Sequence, residues 1–264
     1  MGFVDVADNG ALRTITLNRP ARRNALGPEL LDELEQIVND TASWPGQVAV
    51  IQGAGQSFSA GADLKAPIAP EDTWQSRRIG VSRWNRLVDS LETLPQITVA
   101  RLHGHVIGGG AVLALACDLR VAHHDVQISF PELFLGLPLT MGGVSRLIRE
   151  VGVSRAREAI LTRKKIGAAE GLAWGLVHRV ADSEKDLSQL TDELLRAPAA
   201  VQSMTKQAIH NSSRSVVSTE GTWSDADILS LIAGHPETTL GRREPTTAPN
   251  RAQTSDMVEE DRCR

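Results

Sequence analysis

Two short runs of small residues are the first places where this sequence can do chemistry. Ala60-Gly61-Ala62-Asp63 and Gly108-Gly109-Gly110 carry so little side chain that their backbone N–H groups can come close to a ligand oxygen. The triple glycine stands directly ahead of the helical run AVLALAC. The first N–H groups of a helix have no internal partner, and the helix dipole favours negative charge there. Two such runs together can make an oxyanion hole, a pair of donors aimed at an oxygen that gains charge in the transition state. A triple glycine before a helix serves equally for close packing of helix on strand, so the pairing of the runs is what points to anion binding.

Something rigid must hold each run, and the hydrophobic pattern supplies it. Alternation on either side of Asp8-Asn9-Gly10 predicts a β-hairpin whose second strand sets Leu12, Thr14 and Thr16 against Ile15 and Leu17, ending at Asn18-Arg19-Pro20. From Pro28, with Gly27 at the entrance, Leu30, Leu31, Leu34, Ile37 and Val38 recur at helical spacing. Val48 to Gln52 predicts a short buried strand. The segment GAGQSFSAGAD after it is too small-residued to pack as a regular element and predicts a loop. A charged helix is expected from Asp72 to Leu94, and Ile97 to Leu102 predicts a second buried strand leading through His103-Gly104 to the triple glycine. Short strands are expected at 119–122 and 127–130, then a Gly/Pro-rich stretch from Pro131-Glu132 to Gly143, then nearly continuous helix from Val144 to Ile232. A strand-rich first half and helical second half predict an α/β core over residues 1–185 with a C-terminal helical region over 186–243. Residues 244–264 lose periodicity and are expected to be disordered.

The 264 residues are 41% hydrophobic and 23% charged, which excludes wholesale disorder and collagen-like or disulfide-scaffold classes. Lys+Arg 28 against Asp+Glu 32 leaves a net charge of −4, so nucleic acid and anionic membranes find no general attraction. With five Trp, four Phe and no Tyr, there is no aromatic and basic platform for stacking bases. Cys117 and Cys263 have no CxxC or Cys/His spacing, and a reducing cytoplasm fits them best. The opening MGFVDVADNG lacks a basic segment leading into an apolar one, and no apolar stretch approaches about 18 residues, so neither secretion nor a membrane span is expected. No P-loop or GxGxxG fingerprint supports nucleotide hydrolysis or nicotinamide chemistry. His123, His124 and Asp125 have no metal-ligand spacing and read as a solvated turn. His103 and His105 read as packed or capping residues, and Asp118 with Arg120 as a structural pair.

Several segments together are similar to the crotonase superfamily, the enoyl-CoA hydratase/isomerase family. They are LNRPARRNAL at Leu17 to Leu26, SFSAGADLK at Ser57 to Lys65, HGHVIGGG at His103 to Gly110, ACDLRVA at Ala116 to Ala122 and FPELFLGL at Phe130 to Leu137. The resemblance continues through GGVSRL at Gly142 to Leu147 and GAAEGLAWGLV at Gly167 to Val177, and covers most of residues 10 to 235. It implies an α/β crotonase (ClpP-like) ββα spiral core with a C-terminal helical trimerisation region, assembled as a homotrimer or dimer of trimers. It also implies an acyl-CoA thioester as substrate, no metal and no cofactor, CoA being part of the substrate. On the matching positions the amides of Ala62 and Gly109 are the donors to the thioester oxygen and stabilise an enolate. Ala60 and the backbone of Ala62, Asp63, Leu64 and Lys65 would line the thioester arm. Ala21, Arg22 and Arg23 would sit near the CoA nucleotide, where arginine can meet phosphate; the same pair of arginines also suits a solvated turn after Pro20.

One departure from the family pattern bears on the reaction. Where the resemblance places two glutamates that hold and activate water in hydratases, this chain has Val112 at the first position and Glu132 at the second. Valine neither accepts a hydrogen bond nor exchanges a proton, so one carboxylate is left over the thioester. In this the chain looks like the enoyl-CoA isomerases of the family, in which a single glutamate moves a proton between the α and γ carbons. Phe130, Leu133, Phe134 and Leu135 are expected to bury Glu132 and raise its pKa; taken locally, a solvated glutamate at a strand end is the alternative. Thr140 stands where some dienoyl isomerases and dehalogenases carry an aspartate, which removes support for those chemistries. Val112, Leu133 and Thr140 are expected to border the acyl-CoA site. A hydratase working with Glu132 alone, or an acyl-CoA-binding protein without turnover, are the rival functions.

Overall fold

Asn9 pairs with Leu12 across Gly10-Ala11, and Gly10 supplies the positive φ of +61 that a two-residue hairpin turn requires. The hairpin joins β1 (Val4–Asn9) to β2 (Leu12–Leu17). Beyond it α1 (Pro28–Ser43) starts on a proline and buries Leu30, Leu31, Leu34 and Val38 along one face. The computed structural model describes residues 2–66, 73–218 and 223–232, so the expected tail over 244–264 and the start of the helix expected from Asp72 lie outside the described residues.

Three strand–strand–helix units follow. The first is β3 (Val48–Gly53), β4 (Ser57–Ser59) and α2 (Trp74–Glu92). The second is β5 (Ile97–Leu102), β6 (His105–Ile107) and α3 (Gly109–Leu115). The third is β7 (Leu119–Ala122) and β8 (Gln127–Ser129), leading through a 3-10 turn at Glu132–Leu135 into α4 (Gly143–Leu161). After α5 (Ala168–Trp174) a two-residue strand β9 (Arg179–Val180) joins the edge of the large sheet. The first strand of each unit enters a six-stranded sheet ordered β1-β2-β3-β5-β7-β9, and the second enters a three-stranded sheet ordered β4-β6-β8. Apart from the hairpin, the strands within each sheet pair in parallel, so each unit returns by a crossover and the chain climbs as a spiral.

Three strands differ from the sequence expectation. Ser57–Ser59 lies inside the stretch expected to be a loop, and β6 intervenes between the strand at 97–102 and the triple glycine. β9 interrupts the region expected to be helical. Each is only two or three residues long and is formed by ladder bonds to strands distant in sequence, which local hydrophobic period does not report.

The main core lies between the two sheets and α1, α2, α3 and α4, around residues such as Ile15, Leu34, Phe58, Leu91, Leu102, Leu113, Phe130 and Leu147. A smaller cluster covers the other face of the large sheet, where Leu190 of α6 (Glu184–Leu195) packs on Val48, Val50, Val99 and Val121. The expected boundary at 186 therefore falls within a helix that packs on the core sheet. From α7 (Ala199–Val216), buried Lys206 donates to the Gln96 carbonyl at 2.9 Å and pairs with Asp118 at 2.7 Å. α8 (Trp223–Ile232) packs against α2, and its Asp225 accepts the Gly142 amide at 3.0 Å. Asp118 and Arg120 do not pair with each other. Asp118 turns to Thr98 and Lys206, whereas Arg120 is buried and bonds to Glu150, the Leu176 carbonyl and the Cys117 carbonyl.

Candidate active site

The small sheet positions the chemistry. Its three parallel strands end side by side, with Ser59 in register with Val106 and Ile107 with Ser129. Just beyond these ends the chain delivers Ala62 after β4, Gly109 after β6 and Glu132 after β8. Residues that are 70 positions apart in sequence thus meet at one edge because the strands carrying them are neighbours.

The two loops of small residues touch. Gly61 has a φ of +80, and a methyl group placed on it would lie 2.6 Å from the Ile107 carbonyl oxygen and 3.5 Å from the Gly109 nitrogen. No side chain fits between them. Leu26 bridges to the Ala62 position in parallel fashion, donating to the Gly61 carbonyl at 2.8 Å and accepting the Asp63 amide at 3.0 Å. A parallel bridge takes the flanking groups and turns the amide of the middle residue away, so Ala62, which is exposed, keeps its N–H for a ligand. Gly109 opens α3, where its N–H precedes any possible partner within the helix. A methyl on it would meet Leu26 Cδ1 at 3.3 Å and Met141 Sδ at 3.5 Å, so these two side chains border this donor.

Polar residues around Asn24 lock this geometry. Asn24 is fully buried with φ +53; its amide group donates to the carbonyls of Ala54 and Ser57, and its Oδ1 accepts the Arg19 amide at 2.8 Å. Ser59 Oγ donates to the Asn24 carbonyl at 2.8 Å and accepts the Gly61 amide at 3.2 Å. The Arg19 guanidinium donates to the Ala25 carbonyl at 2.6 Å and pairs with Asp63 at 3.1 Å. Local sequence singles out none of Arg19, Asn24, Ser59 and Met141. Their signal is the need of a positive-φ asparagine and a close-packed glycine for partners, which appears only once the loops are adjacent.

Glu132 opens the 3-10 turn and points inward. Its Oε2 is buried without a hydrogen-bond partner among the described residues, and burial pushes the carboxyl up to about 7. It lies against Gly108, whose φ is +51: a methyl there would be 2.2 Å from Glu132 Oε1. The carboxyl therefore sits beside the residue preceding Gly109. The expected apolar cover is only partly present. Phe130 is wholly buried, but Leu133, Phe134 and Leu135 are 51%, 57% and 41% exposed. The tight turn leaves those three side chains exposed while Glu132 Oε2 is buried.

The remaining expected site residues divide by exposure. Val112 is wholly buried; a methyl on Gly143 would lie 2.7 Å from its Cγ2, so it packs into the wall and has no open surface of its own. Thr140 is half-buried, its carbonyl accepting the Gly143 amide. Ala60 is half-buried and donates its amide to the Arg23 carbonyl at 2.8 Å, tying the 21–23 segment to the donor loop. Ala21, Arg22 and Arg23 are exposed, and the two arginines make no ion pair among the described residues. Asp63 is held by Arg19, while Leu64 and Lys65 are exposed beside it. His103 and His105 instead border a separate cavity of about 720 Å³, with Gln52, Arg101, His123 and Asp125. Glu132, Ala62 and Gly109 take no part in its lining.

The chain resembles known proteins in sequence and in fold. Residues 7–239 match the family described as Enoyl-CoA hydratase/isomerase. The chain is similar to the short-chain-enoyl-CoA hydratase of Clostridium acetobutylicum, with 33% identity over 76% of this chain and 78% of that protein. It is similar to the 2,3-dehydroadipyl-CoA hydratase of Escherichia coli at 34% identity, over 92% of this chain and 93% of that one. Among solved structures, an enoyl-CoA hydratase/isomerase from Xanthobacter autotrophicus superposes with a TM-score of 0.82 at 27% identity, covering 90% of both chains.

Proposed function

Given that the chain belongs to the enoyl-CoA hydratase/isomerase family and is an enzyme acting on acyl-CoA, we propose that it moves the double bond of an enoyl-CoA by proton transfer through Glu132. The observation that carries this reading is the Glu132 carboxyl beside the Gly109 donor, its Oε2 buried and without a hydrogen-bond partner among the described residues, with an apolar Val112 where a second carboxylate would assist water.

The thioester carbonyl oxygen of a 3-enoyl-CoA accepts the N–H groups of Ala62 and Gly109. Ionised Glu132 removes a proton from the α carbon, and the electron pair moves into the carbonyl, giving a dienolate whose oxygen gains negative charge. The two amides need no reorganisation to meet that oxygen; one such donor is worth about 3 kcal/mol of barrier in other enzymes. The carboxyl then returns the same proton to the γ carbon, the electrons flow back, and the product is the 2-enoyl-CoA. No net proton is gained or lost. A carboxyl held at about 7 suits a group that must both take and return a proton near neutrality.

Turnover of 3-enoyl-CoA substrates with slow water addition to crotonyl-CoA is the expected result, and Glu132→Gln abolishes isomerisation while acyl-CoA affinity stays nearly intact. Unchanged turnover in that variant removes Glu132 from the mechanism. A hydratase working with one carboxylate is the second reading, favoured by the hydratase names of the relatives; rapid hydration of crotonyl-CoA by the native chain selects it. Arg22 and Arg23, exposed and without ion pairs among the described residues, are the groups that would meet the CoA phosphates. The same reading carries a homotrimer or dimer of trimers in the cytoplasm, tested by light scattering and fractionation.

A further inference from the structure

A second group of side chains gathers where β7 pairs with β9 at the edge of the large sheet. His123 and His124 follow β7 directly, and a turn closed by the Val126 amide donating to the His123 carbonyl at 3.1 Å sets their rings 4.1 Å apart. The pairing of Ala122 with Val180, extended by the Ala181 amide donating to the Ala122 carbonyl at 2.9 Å, brings Asp182 alongside. Asp182 accepts the His124 amide at 3.0 Å, and its Oδ1 lies 3.0 Å from His124 Nδ1. One donor atom from each of His123, His124 and Asp182 lies within 4.8 Å of the other two.

We propose that these three side chains form a binding site for a divalent transition-metal ion of the zinc class, completed by water. Ligands about 2.1 Å from a tetrahedral ion stand roughly 3.4 Å apart, so the widest pair of donors has to close by at most about 1.4 Å. His124 and Asp182, 67% and 57% exposed as side chains, have the rotamer freedom to do so. Asp125 supplies the orienting partner expected of a metal-bound imidazole: its Oδ1 sits 2.7 Å from His123 Nδ1 and is itself held by the Gly104 amide at 3.1 Å. Two imidazoles and a carboxylate select a zinc-class ion over calcium or magnesium, which favour sets of oxygens. His123 and Asp125 also border the open cavity of about 720 Å³, which provides an entry path. Asp182 stands just ahead of Ser183, which caps α6, so a bound ion would clamp the start of that helix to β7. The site is separate from the Ala62, Gly109 and Glu132 cluster and does not depend on the proposed isomerisation.

The test uses the full chain without a histidine tag and zinc chloride as the probe, followed by calorimetry and by competition with a chromophoric chelator. The native protein is expected to bind a single zinc per chain and to melt at a higher temperature with zinc than without. His124→Ala and Asp182→Asn should each weaken binding by about 10- to 100-fold or more and abolish the zinc-dependent rise in melting temperature, and Asp125→Asn should weaken it by about tenfold. All three side chains are on the surface, and melting temperatures without zinc report whether each variant folds. No saturable zinc binding by the native chain, or binding that is unchanged in both His124→Ala and Asp182→Asn, overturns the proposal.

Discussion

Replacing Glu132 by glutamine keeps the shape of the side chain and removes its charge, so the substitution should stabilise the protein while stopping the reaction. The carboxyl is raised from an ordinary value of 4.5 to about 7 by burial. Between those values the folded chain binds more proton than the unfolded chain, so stability falls as pH rises through the window and stays reduced above it. A gap of about 2.5 pK units corresponds to roughly 3 kcal/mol, most of which is lost between about pH 5 and about pH 8. The glutamine of the Glu132→Gln variant cannot ionise, so that protein lacks this slope. Any fixed cost of burying the amide is the same at both pH values and cancels in the comparison. Urea unfolding of both proteins at the two pH values, at equal protein concentration, gives the difference directly. The variant should gain on the native chain by about 2 to 3 kcal/mol as pH rises, and native isomerisation should rise with pH to a plateau above about 7. A difference in stability that does not change with pH would refute the claim that this carboxyl is desolvated in the folded state.

Gly108→Ala places a methyl 2.2 Å from Glu132 Oε1 at a φ of +51, and should cut turnover by about 100-fold by displacing the carboxyl, with acyl-CoA affinity measured by calorimetry little changed. Val112→Glu puts a carboxyl into a wholly buried position; thermal melts should show a loss of several kcal/mol, and the ratio of crotonyl-CoA hydration to isomerisation should rise. Arg146 is buried, donating to the Met141 carbonyl at 2.8 Å and pairing with Asp89 and Glu92 at 2.7 Å and 2.6 Å. Arg146→Met removes the cation from between those carboxylates and should cost about 3 to 5 kcal/mol in chemical denaturation. Burial pushes the Cys117 thiol up to about 12, so peptide mapping after alkylation should find Cys117 unmodified in the native protein and modified after unfolding.

Local sequence was enough to establish most long elements. Leu30, Leu31, Leu34 and Val38 lie on one helical face, and Val48 to Ile51 form an unbroken buried strand, because these patterns depend only on backbone period and on water excluding apolar surface. The two runs of small residues were legible as close approaches of backbone for the same local reason: absence of a side chain is visible at the residue itself. The motifs also carried the family resemblance. Tertiary structure decided what those residues do to one another. The order β4-β6-β8 brings Ala62, Gly109 and Glu132 to one edge, and the turn at 132–135 sends the acid inward and Leu133, Phe134 and Leu135 outward. Desolvation of Glu132 and the meeting of Asp182 with His124 follow from ladder pairing between segments distant in the chain. Burial and proximity depend on three-dimensional neighbours, and no window of sequence contains them.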